Sequence, residues 1–407
     1  MSSPVHPVPS PKPRRVNLRT PEVMKRVQAE VEHHYKSPLV DRIRAGGGSL
    51  TVGDTQVRLA KEFGFCYGVE RAIDLAYAAR RVFPDQRIFI LGEIIHNPDV
   101  NEQIRAMGIL NLIGKSAEAD LASLSPEDVV IVPAFGSEVQ IVEGIKKIGC
   151  QIVDTTCGDV MSVWKRVRQN ANEEVTSIIH GKAAHEETRA TASRALGKGQ
   201  GHYLIVLDLE ETDLVGDYIR GHGDRGRFLD HFANAISEGF DPDLHLKRVG
   251  VANQTTMLRS ETEEVQRRIR AAIEERDAGA SENFRFFDTI CGATQERQDA
   301  LFGLLTNPLV DLLLVVGGYN SSNTTHLAEI GEKTVPTYFI RNAECLDTPG
   351  QINCFDLHEK VERTLTDWLP ERKPLTVGIT AGASCPNNLI EDTISRVFQL
   401  RGEEPPR

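Results

Sequence analysis

Three cysteines of this chain stand in similar local sequences. Each follows a short apolar run and precedes a small or polar turn, which leads into an amphipathic pattern typical of a helix. They are Cys66, Cys157 and Cys291. A cysteine taken singly is usually a small buried apolar residue, but three in one repeated context predict thiolates that converge.

Converging thiolates would suit a metal centre. Structural zinc usually has four protein ligands, often in close CxxC pairs, whereas these cysteines are far apart in the chain. An iron–sulfur cluster normally takes four cysteines, so three would leave one iron open to water or substrate. The sequence therefore favours an iron–sulfur reaction centre, with zinc as the alternative.

Further polar turns follow each cysteine segment in the same order, after a second and a third apolar run. Their candidate binding side chains are His96, His185, Asn320, Ser321, Ser322, Asn323 and Ser384. Helix N-termini that carry hydroxyl and amide groups bind phosphate well. Helix capping by Ser, Thr and Asn explains any one such turn. Several turns aimed at one centre instead predict a pocket for an anion.

One acidic residue of these turns could handle protons. Glu187 follows His185 by two residues and would lie in the first turn of a helix. A carboxyl group in a closed site can hold its proton near neutral pH and act as a general acid. The alternative is a surface residue, because acids are common in first helical turns.

The repeated order of these segments predicts the fold. Strands that alternate with helices indicate parallel sheets with covered faces, and ligands bind beyond the carboxyl ends of such strands. We expect three similar α/β domains with mainly parallel sheets, in a pseudo-threefold arrangement around a central iron–sulfur cluster. The predicted divisions are an N-terminal extension (1–56), a first α/β domain (57–150), a second (151–283) with an insertion at about 197–245, a third (284–397) and a C-terminal tail (398–407).

Two segments stand outside the repeated pattern. The extension predicts a helix from Pro21 to about Arg44, ended by Gly46, Gly47 and Gly48. The insertion is rich in Gly, Asp and Arg and has no assigned chemistry, so it would cover a domain edge or mediate association.

Composition excludes several functional classes. A net charge of −11 and an aromatic content of 6% argue against nucleic-acid binding. No stretch reaches the ~18 apolar residues of a membrane span. Seven widely spread cysteines without a CxxC pair fit a reducing compartment. We therefore expect a cytoplasmic enzyme that binds neither nucleic acid nor membrane; a plastid location would follow if the source were a plant or an alga.

Eight ordered motifs resemble a known family. They are GFCYGVERAI, EIIHNPDVN, DTTCGDV, IIHGKAAHEET, ANQTTML, DTICGATQERQ, GGYNSSNTTHLAEI and GITAGAS, and they extend from about residue 57 to 397. The family is LytB/IspH, the 4-hydroxy-3-methylbut-2-enyl diphosphate reductases. The long extension and the wording of two motifs look like its cyanobacterial and plant branch.

The resemblance implies a reaction and a site. One [4Fe–4S] cluster per chain would be held by Cys66, Cys157 and Cys291, with one open iron. His96, His185, Ser321, Ser322, Asn323 and Ser384 would bind diphosphate, with Asn320 beside them. Glu187 would donate protons and Thr255 would orient it in contact with the substrate. The allylic alcohol would lose its hydroxyl to give isopentenyl and dimethylallyl diphosphate, with electrons from ferredoxin or flavodoxin.

Two positions depart from the family pattern. Many bacterial members have a histidine where this chain has Phe135, which cannot donate a hydrogen bond to diphosphate. We expect the contacts of that turn to be rebuilt, with Ser137 as a candidate. Gly158 stands where the family often has proline, which suits a helix start but is not required there.

Two other functional classes remain as alternatives. A non-redox hydratase or dehydratase would use the open iron only as a Lewis acid, and its turnover would need no external reductant. An iron–sulfur sensor or scaffold would need neither an anion pocket nor the acid Glu187.

Overall fold

The N-terminal extension folds into two helices and one strand. The computed structural model describes residues 17–114, 117–280, 282–287, 289–306 and 309–404, so parts of the predicted extension and tail lie outside the described residues. The helices are α1 (Pro21–Tyr35) and α2 (Pro38–Ala45). The single helix predicted here is wrong, because the residue before a proline disfavours helical backbone. Ser37 is extended instead, and its Oγ accepts a hydrogen bond from the N–H of Val40 (2.9 Å).

The next part of the chain contains the first sheet and two strands that join another sheet. Its elements are β1 (Ser49–Val52), β2 (Thr55–Leu59), α3 (Tyr67–Val82), β3 (Ile88–Ile90), α4 (Pro98–Ala106), β4 (Ile109–Asn111), β5 (Val129–Val132), α5 (Val139–Ile148) and β6 (Gln151–Asp154). The first sheet has the parallel order β4-β3-β5-β6. A short 3₁₀ helix spans Leu121–Ser123.

The second sheet is also fully parallel, in the order β8-β7-β9-β10. Its elements are α6 (Gly158–Asn172), β7 (Thr176–His180), α7 (Glu186–Ala195), β8 (Tyr203–Val206), α8 (Leu209–Ile219), α9 (Arg225–His231), α10 (Pro242–His245), β9 (Val249–Asn253), α11 (Arg259–Arg276) and β10 (Phe284–Phe286). The segment predicted as an insertion outside the pattern therefore supplies β8, which is an edge strand of this sheet.

The third sheet has the order β12-β11-β15-β2-β1, and only the β1–β2 pair is antiparallel. Its further elements are α12 (Gly292–Thr306), β11 (Leu312–Val316), α13 (Ser322–Glu332), β12 (Thr337–Ile340), β13 (Gln351–Asp356), β14 (Val361–Thr366), β15 (Leu375–Ala381) and α14 (Asn387–Leu400). Strands β13 and β14 form a separate antiparallel hairpin, and a 3₁₀ helix spans Ala343–Cys345. The predicted α/β class with mainly parallel sheets is confirmed.

The strand that leads to each cysteine belongs to a different sheet from the one on which the next helix packs. Strand β2 lies in the third sheet, β6 in the first and β10 in the second. The boundaries predicted at residues 151 and 284 place β6 and β10 in the unit that follows, and the boundary at residue 57 falls within β2, so these three divisions do not follow the sheets. A local strand–turn–helix pattern does not state which sheet the strand joins.

Each cysteine consequently marks a crossing between units. The helix after it packs on the next sheet: Ile73 of α3 lies in one core with Ile90 of β3, Val167 of α6 contacts the core residue Ala252, and Leu301 of α12 packs in the core around β11. Three such crossings carry three cysteines to the centre of the molecule. Within the described part of the chain, no helix is both long and apolar enough to cross a membrane.

Candidate active site

Matching backbone hydrogen bonds fix the three cysteines. Cys66 and Cys157 are the N-cap residues of α3 and α6, and Cys291 directly precedes α12. Each donates its N–H to a carbonyl in a turn that follows a sheet strand. The pairs are Cys66 to Ala383 (3.2 Å), Cys157 to Ala134 (2.8 Å) and Cys291 to Thr255 (3.2 Å). Neither N-cap thiol is used for capping, so both thiols are free to face the site.

The thiols of Cys66 and Cys157 approach each other around Gly68. A Cβ atom on Gly68 would lie 2.6 Å from Sγ of Cys157 and 3.9 Å from Sγ of Cys66. Burial raises the pKa of the Cys157 thiol, and it raises that of Cys291 to about 12, with Asp159 and Cys66 adding to the effect. Thiols with raised pKa values are poor nucleophiles at neutral pH. Their proximity suits metal ligation, in which a cation displaces the protons.

A central cavity connects the three units. The cavity has a volume of about 110 Å³, which is larger than a site for one water molecule. Eleven of the twelve predicted site residues line it: Cys66, Cys157, Cys291, His96, His185, Glu187, Thr255, Ser321, Ser322, Asn323 and Ser384. The other four cysteines, Cys150, Cys345, Cys354 and Cys385, are buried and do not line it.

Asn320 is the predicted residue that the structure does not place on the cavity wall. Its Nδ2 donates to Oε2 of Glu93 (2.8 Å), and Glu93 also lies 3.4 Å from Nδ1 of His96. Nδ2 of Asn320 also lies 3.4 Å from Nδ1 of His96, so Asn320 contacts a side chain of the cavity wall.

Three buried side-chain nitrogen atoms in the cavity wall have no hydrogen-bond partner within the described structure. They are Nε2 of His96, Nε2 of His185 and Nδ2 of Asn323. The amide of Asn323 is oriented by its Oδ1, which accepts from the N–H of Ala383 (2.9 Å). Buried polar atoms are nearly always bonded, so three unpartnered nitrogen atoms at one cavity indicate a polar ligand, and the Asn323 amide can only donate to it.

The tautomer of His185 distinguishes an anion from a metal ion. His96, His185 and Glu186 offer ligand atoms within 4.8 Å of one another, a spacing that a cation could use. However, Nδ1 of His185 accepts the N–H of Glu187 (3.2 Å), and burial lowers the pKa of His185 well below its ordinary value. The neutral ring therefore carries its proton on Nε2, which can donate to an anion but cannot ligate a metal.

The serine hydroxyls complete the polar side of the cavity. Ser321 caps α13, and its Oγ also accepts from Oγ1 of Thr324 (2.9 Å). Ser384 donates to the carbonyl of His96 (3.0 Å), which ties the turns of two units together. The N-terminus of α13 adds its partial positive charge to these groups. Hydroxyls, amide, imidazoles and helix dipole together favour a negatively charged group.

Glu187 is a buried carboxyl group between these features. Its side chain receives two hydrogen bonds from Thr255, from N–H to Oε1 (2.6 Å) and from Oγ1 to Oε2 (3.0 Å). Both bonds favour the carboxylate, but burial outweighs them and raises the pKa of Glu187 to about 7. The group can therefore hold and release a proton near neutral pH.

Sequence reasoning missed Asp159, which also lines the cavity. Its carboxyl group accepts a hydrogen bond from the Cys291 thiol and raises the pKa of Cys291, and its negative charge raises the pKa of Glu187. The sequence feature that could have indicated it is its position two residues after Cys157, in the first turn of α6. Proximity to a residue of another unit was not readable from that position.

Phe135 stacks on His96. The ring centroids are 4.5 Å apart and the planes differ by 6°, while His185 meets the His96 ring edge-on at 5.0 Å. Phe135 thus packs against the face of the His96 ring, and Nε2 of His96 remains directed at the cavity. At this position the chain has an aromatic ring that packs on His96, in place of the histidine of many bacterial members of the family. Ser137, the suggested substitute, does not line the cavity.

Fold and site together define a class: an α/β protein of three like units, with three thiols and several unpartnered polar side chains in one cavity. The chain belongs to the LytB family, because the family model described as LytB protein matches residues 57–398. It is 48% identical over 383 residues to a 4-hydroxy-3-methylbut-2-enyl diphosphate reductase of Gloeobacter violaceus, covering 92% of this chain and 90% of the relative. A relative of the same name from Thermosynechococcus vestitus is 47% identical and covers 92% of each chain.

Two solved structures resemble the chain. One is a structure of (E)-4-hydroxy-3-methyl-but-2-enyl diphosphate reductase, described as the terminal enzyme of the non-mevalonate pathway, with 27% identity, a TM-score of 0.52, and coverage of 86% of this chain and 100% of that one. The other is the E-1-hydroxy-2-methyl-but-2-enyl-4-diphosphate reductase of Plasmodium falciparum, with 22% identity, a TM-score of 0.60, and coverage of 83% and 86%; it supports the fold alone. The predicted family and fold are confirmed.

The first prediction concerns Gly68. In Gly68→Ala the new methyl group must displace the Cys157 thiol, so we expect a folded protein that retains less than half of the wild-type iron after anaerobic reconstitution. Gly292→Ala is the matched control, since its Cβ would meet nothing within 4 Å. Circular dichroism checks folding and a colorimetric iron assay checks loading. Equal iron in both variants would contradict the placement of the thiols.

The second prediction concerns Phe135. Phe135→Leu keeps an apolar side chain but removes the flat face under His96, whereas Phe135→Tyr keeps that face. Aromatic pairs contribute ~0.5–1.5 kcal/mol, so we expect the leucine variant to bind inorganic diphosphate roughly 2–10-fold more weakly in calorimetry. The tyrosine variant should bind like wild type. Wild-type affinity in Phe135→Leu would show that the stack does not hold His96 in its binding position.

Proposed function

We propose that this chain reduces 4-hydroxy-3-methylbut-2-enyl diphosphate to isopentenyl and dimethylallyl diphosphate, the last step of the methylerythritol phosphate route to isoprenoids. The observation that carries the proposal is one cavity that combines three converging thiols, orphaned donors for an anion and a buried acid titrating near neutral pH. The names of the relatives support it. We further propose a cytoplasmic location.

The thiol set fits one [4Fe–4S] cluster per chain, held by Cys66, Cys157 and Cys291. Three thiols from three crossings are too few for a closed structural zinc site, and the cavity lies beside them rather than being filled by a fourth ligand. When bound, such a cluster would supply electrons and one Lewis-acidic iron at the substrate's hydroxyl end. The electrons would come from ferredoxin or flavodoxin.

The chain's own residues would hold the diphosphate. His185 donates through Nε2, Asn323 through Nδ2, and the N-terminus of α13 adds backbone N–H groups. Charge-assisted hydrogen bonds of this kind contribute ~1.5–3 kcal/mol each. Anchoring one end of the substrate would fix its hydroxyl end near the thiols, and the buried walls exclude water from the reaction.

Glu187 would supply the proton that converts the departing hydroxyl into water. Its pKa of about 7 leaves it substantially protonated at neutral pH. Thr255 orients the carboxyl group through both hydrogen bonds and limits the rise in its pKa. Overall, the alcohol takes up two electrons and two protons and releases one water molecule.

Neither alternative class gains support. A hydratase or dehydratase would act without external reductant, and the curated relatives are named reductases. A sensor or scaffold would have no use for orphaned anion donors and a buried acid in one cavity.

The third prediction tests the function directly. Wild-type protein, reconstituted without oxygen, should convert the substrate only when a reductant such as dithionite with a viologen dye is present. Cys66→Ser, Cys157→Ser and Cys291→Ser should each lose most iron and activity, because serine is a poor cluster ligand. Cys150→Ser is the matched control, since Cys150 is buried beside the Ser125 carbonyl, away from the cavity. Turnover without reductant would exclude the reductase assignment, and iron loss in Cys150→Ser would exclude the ligand set.

The fourth prediction concerns the protonation of Glu187. A raised pKa keeps the acid form present below about pH 7, so wild-type turnover should fall as the pH rises through that value. Glu187→Gln should load the cluster and bind substrate, turn over roughly 10²–10⁴-fold more slowly, and lose this limb of the pH profile. Thr255→Val removes a bond that favours the carboxylate, so its limb should move to higher pH. Wild-type rate and pH profile in Glu187→Gln would remove Glu187 from the mechanism.

A further inference from the structure

Arg297 is a buried cation near two of the cysteines. It lies in α12, and only 4% of its surface is exposed. Nη2 donates to the carbonyl of Gly64 (2.6 Å), Nη1 donates to the carbonyl of Ala293 (2.8 Å), and Nε has no partner. In the described part of the chain no carboxylate forms an ion pair with it, although Glu70 feels its charge at longer range.

Such an arrangement is unusual for a guanidinium group. A buried charge is costly unless an opposite charge compensates it, and two carbonyl dipoles compensate a full charge only in part. The three thiols nearby are neutral while protonated. As cluster ligands they would be thiolates, and together they bring more negative charge than an oxidised four-iron core brings positive charge. The net negative charge of the thiolates and a bound cluster would then compensate the positive charge of Arg297.

The two carbonyls place Arg297 between two crossings. Gly64 precedes Cys66 by two residues, and Ala293 follows Cys291 by two residues. Two residues span at most about 7 Å, so the guanidinium group lies close to both ligands. The loop at Gly64 is tight, because its φ is +79° and a Cβ atom there would lie 2.9 Å from Oδ1 of Asn387. One side chain therefore joins the loop of Cys66 to the helix that follows Cys291.

We infer that Arg297 is a positioning residue that clamps the Cys66 loop to α12 and whose buried charge raises the reduction potential of the cluster. The inference rests on the proposed iron–sulfur function. A positive charge in a solvent-poor setting stabilises the reduced, more negative state of a cluster, and net charge and hydrogen bonding are main determinants of its potential. The forked guanidinium serves both roles, whereas lysine would keep only the charge.

Arg44 provides a matched control on the same loop. Its Nη2 donates to the carbonyl of Phe63 (2.8 Å), and the guanidinium group stacks over the Phe63 ring at 4.0 Å. Unlike Arg297 it is only partly buried, and the negative charges of Asp41 and Glu62 lie near it as well as the positive charge of Arg297. It holds the neighbouring residue of the loop from the outer side, so its loss tests loop support without loss of the uncompensated charge.

The experiment compares Arg297→Met, Arg297→Lys and Arg44→Met with wild type, all reconstituted without oxygen. Iron and sulfide content measures the clamp, and a redox titration followed by electron paramagnetic resonance measures the midpoint potential. We expect Arg297→Met to lose at least half of its iron and to shift the midpoint of the loaded fraction to more negative values. Arg297→Lys should also lose iron but keep the wild-type midpoint, and Arg44→Met should match wild type in both.

Each outcome decides the inference. Wild-type iron content in both Arg297 variants would overturn the clamp, and an equal negative shift in Arg297→Met and Arg297→Lys would overturn the role of charge. If Arg297→Met fails to fold by circular dichroism, Arg297→Lys decides the clamp through its iron content and the charge through its midpoint. A wild-type protein that takes up no cluster would instead refute the proposed function, before any Arg297 variant is compared.

Discussion

Each strand that leads to a cysteine pairs with parallel strands of one sheet, while the helix after the cysteine packs on another sheet, and the site depends on this constraint. Because β2, β6 and β10 end in one sheet while the next helix packs on another, the chain must cross between units at each cysteine. The backbone hydrogen bond from each cysteine to a turn carbonyl then fixes the position of that cysteine relative to the neighbouring unit. No single sheet could bring three thiols together in this way, because its strand ends lie in a row.

The site keeps polar groups unsatisfied, and the rest of the fold compensates. Each buried polar atom without a partner costs ~1–3 kcal/mol, and His96, His185 and Asn323 each contribute one. Fully buried strands such as β11, whose five residues all lie in the core of the third unit, supply the offsetting apolar burial. The orphaned donors are thus held in position before any ligand arrives, which reduces the cost of ordering them on binding.

Charge within the cavity is distributed by burial rather than by ion pairs. Burial raises the pKa of Glu187 to about 7, raises that of the Cys157 and Cys291 thiols, and lowers that of His185. In the absence of ligands the two thiols and His185 are therefore neutral at pH 7, while Glu187 is about half protonated. A low-dielectric site of neutral donors binds an added anion strongly, because little competing charge must first be displaced. Phe135 fits this arrangement, since it supports His96 without adding another polar atom to satisfy.

The local sequence determined which residues are candidates for the site and which strands and helices flank them. An apolar run, a cysteine and an amphipathic helix are short-range patterns, and so are the turns that contain His96, His185 and Ser321; helix starts and strand ends followed from them. Only the tertiary structure decided partnership across units. Four features depend on contacts between distant segments. They are the sheet that β2 joins, the place of β8 in the second sheet, the contact of Asp159 with Cys291 and the stacking of Phe135 on His96. Side-chain patterning specifies which face of an element is buried, but not which of several similar apolar surfaces covers it, and that choice is made by packing the whole chain at once.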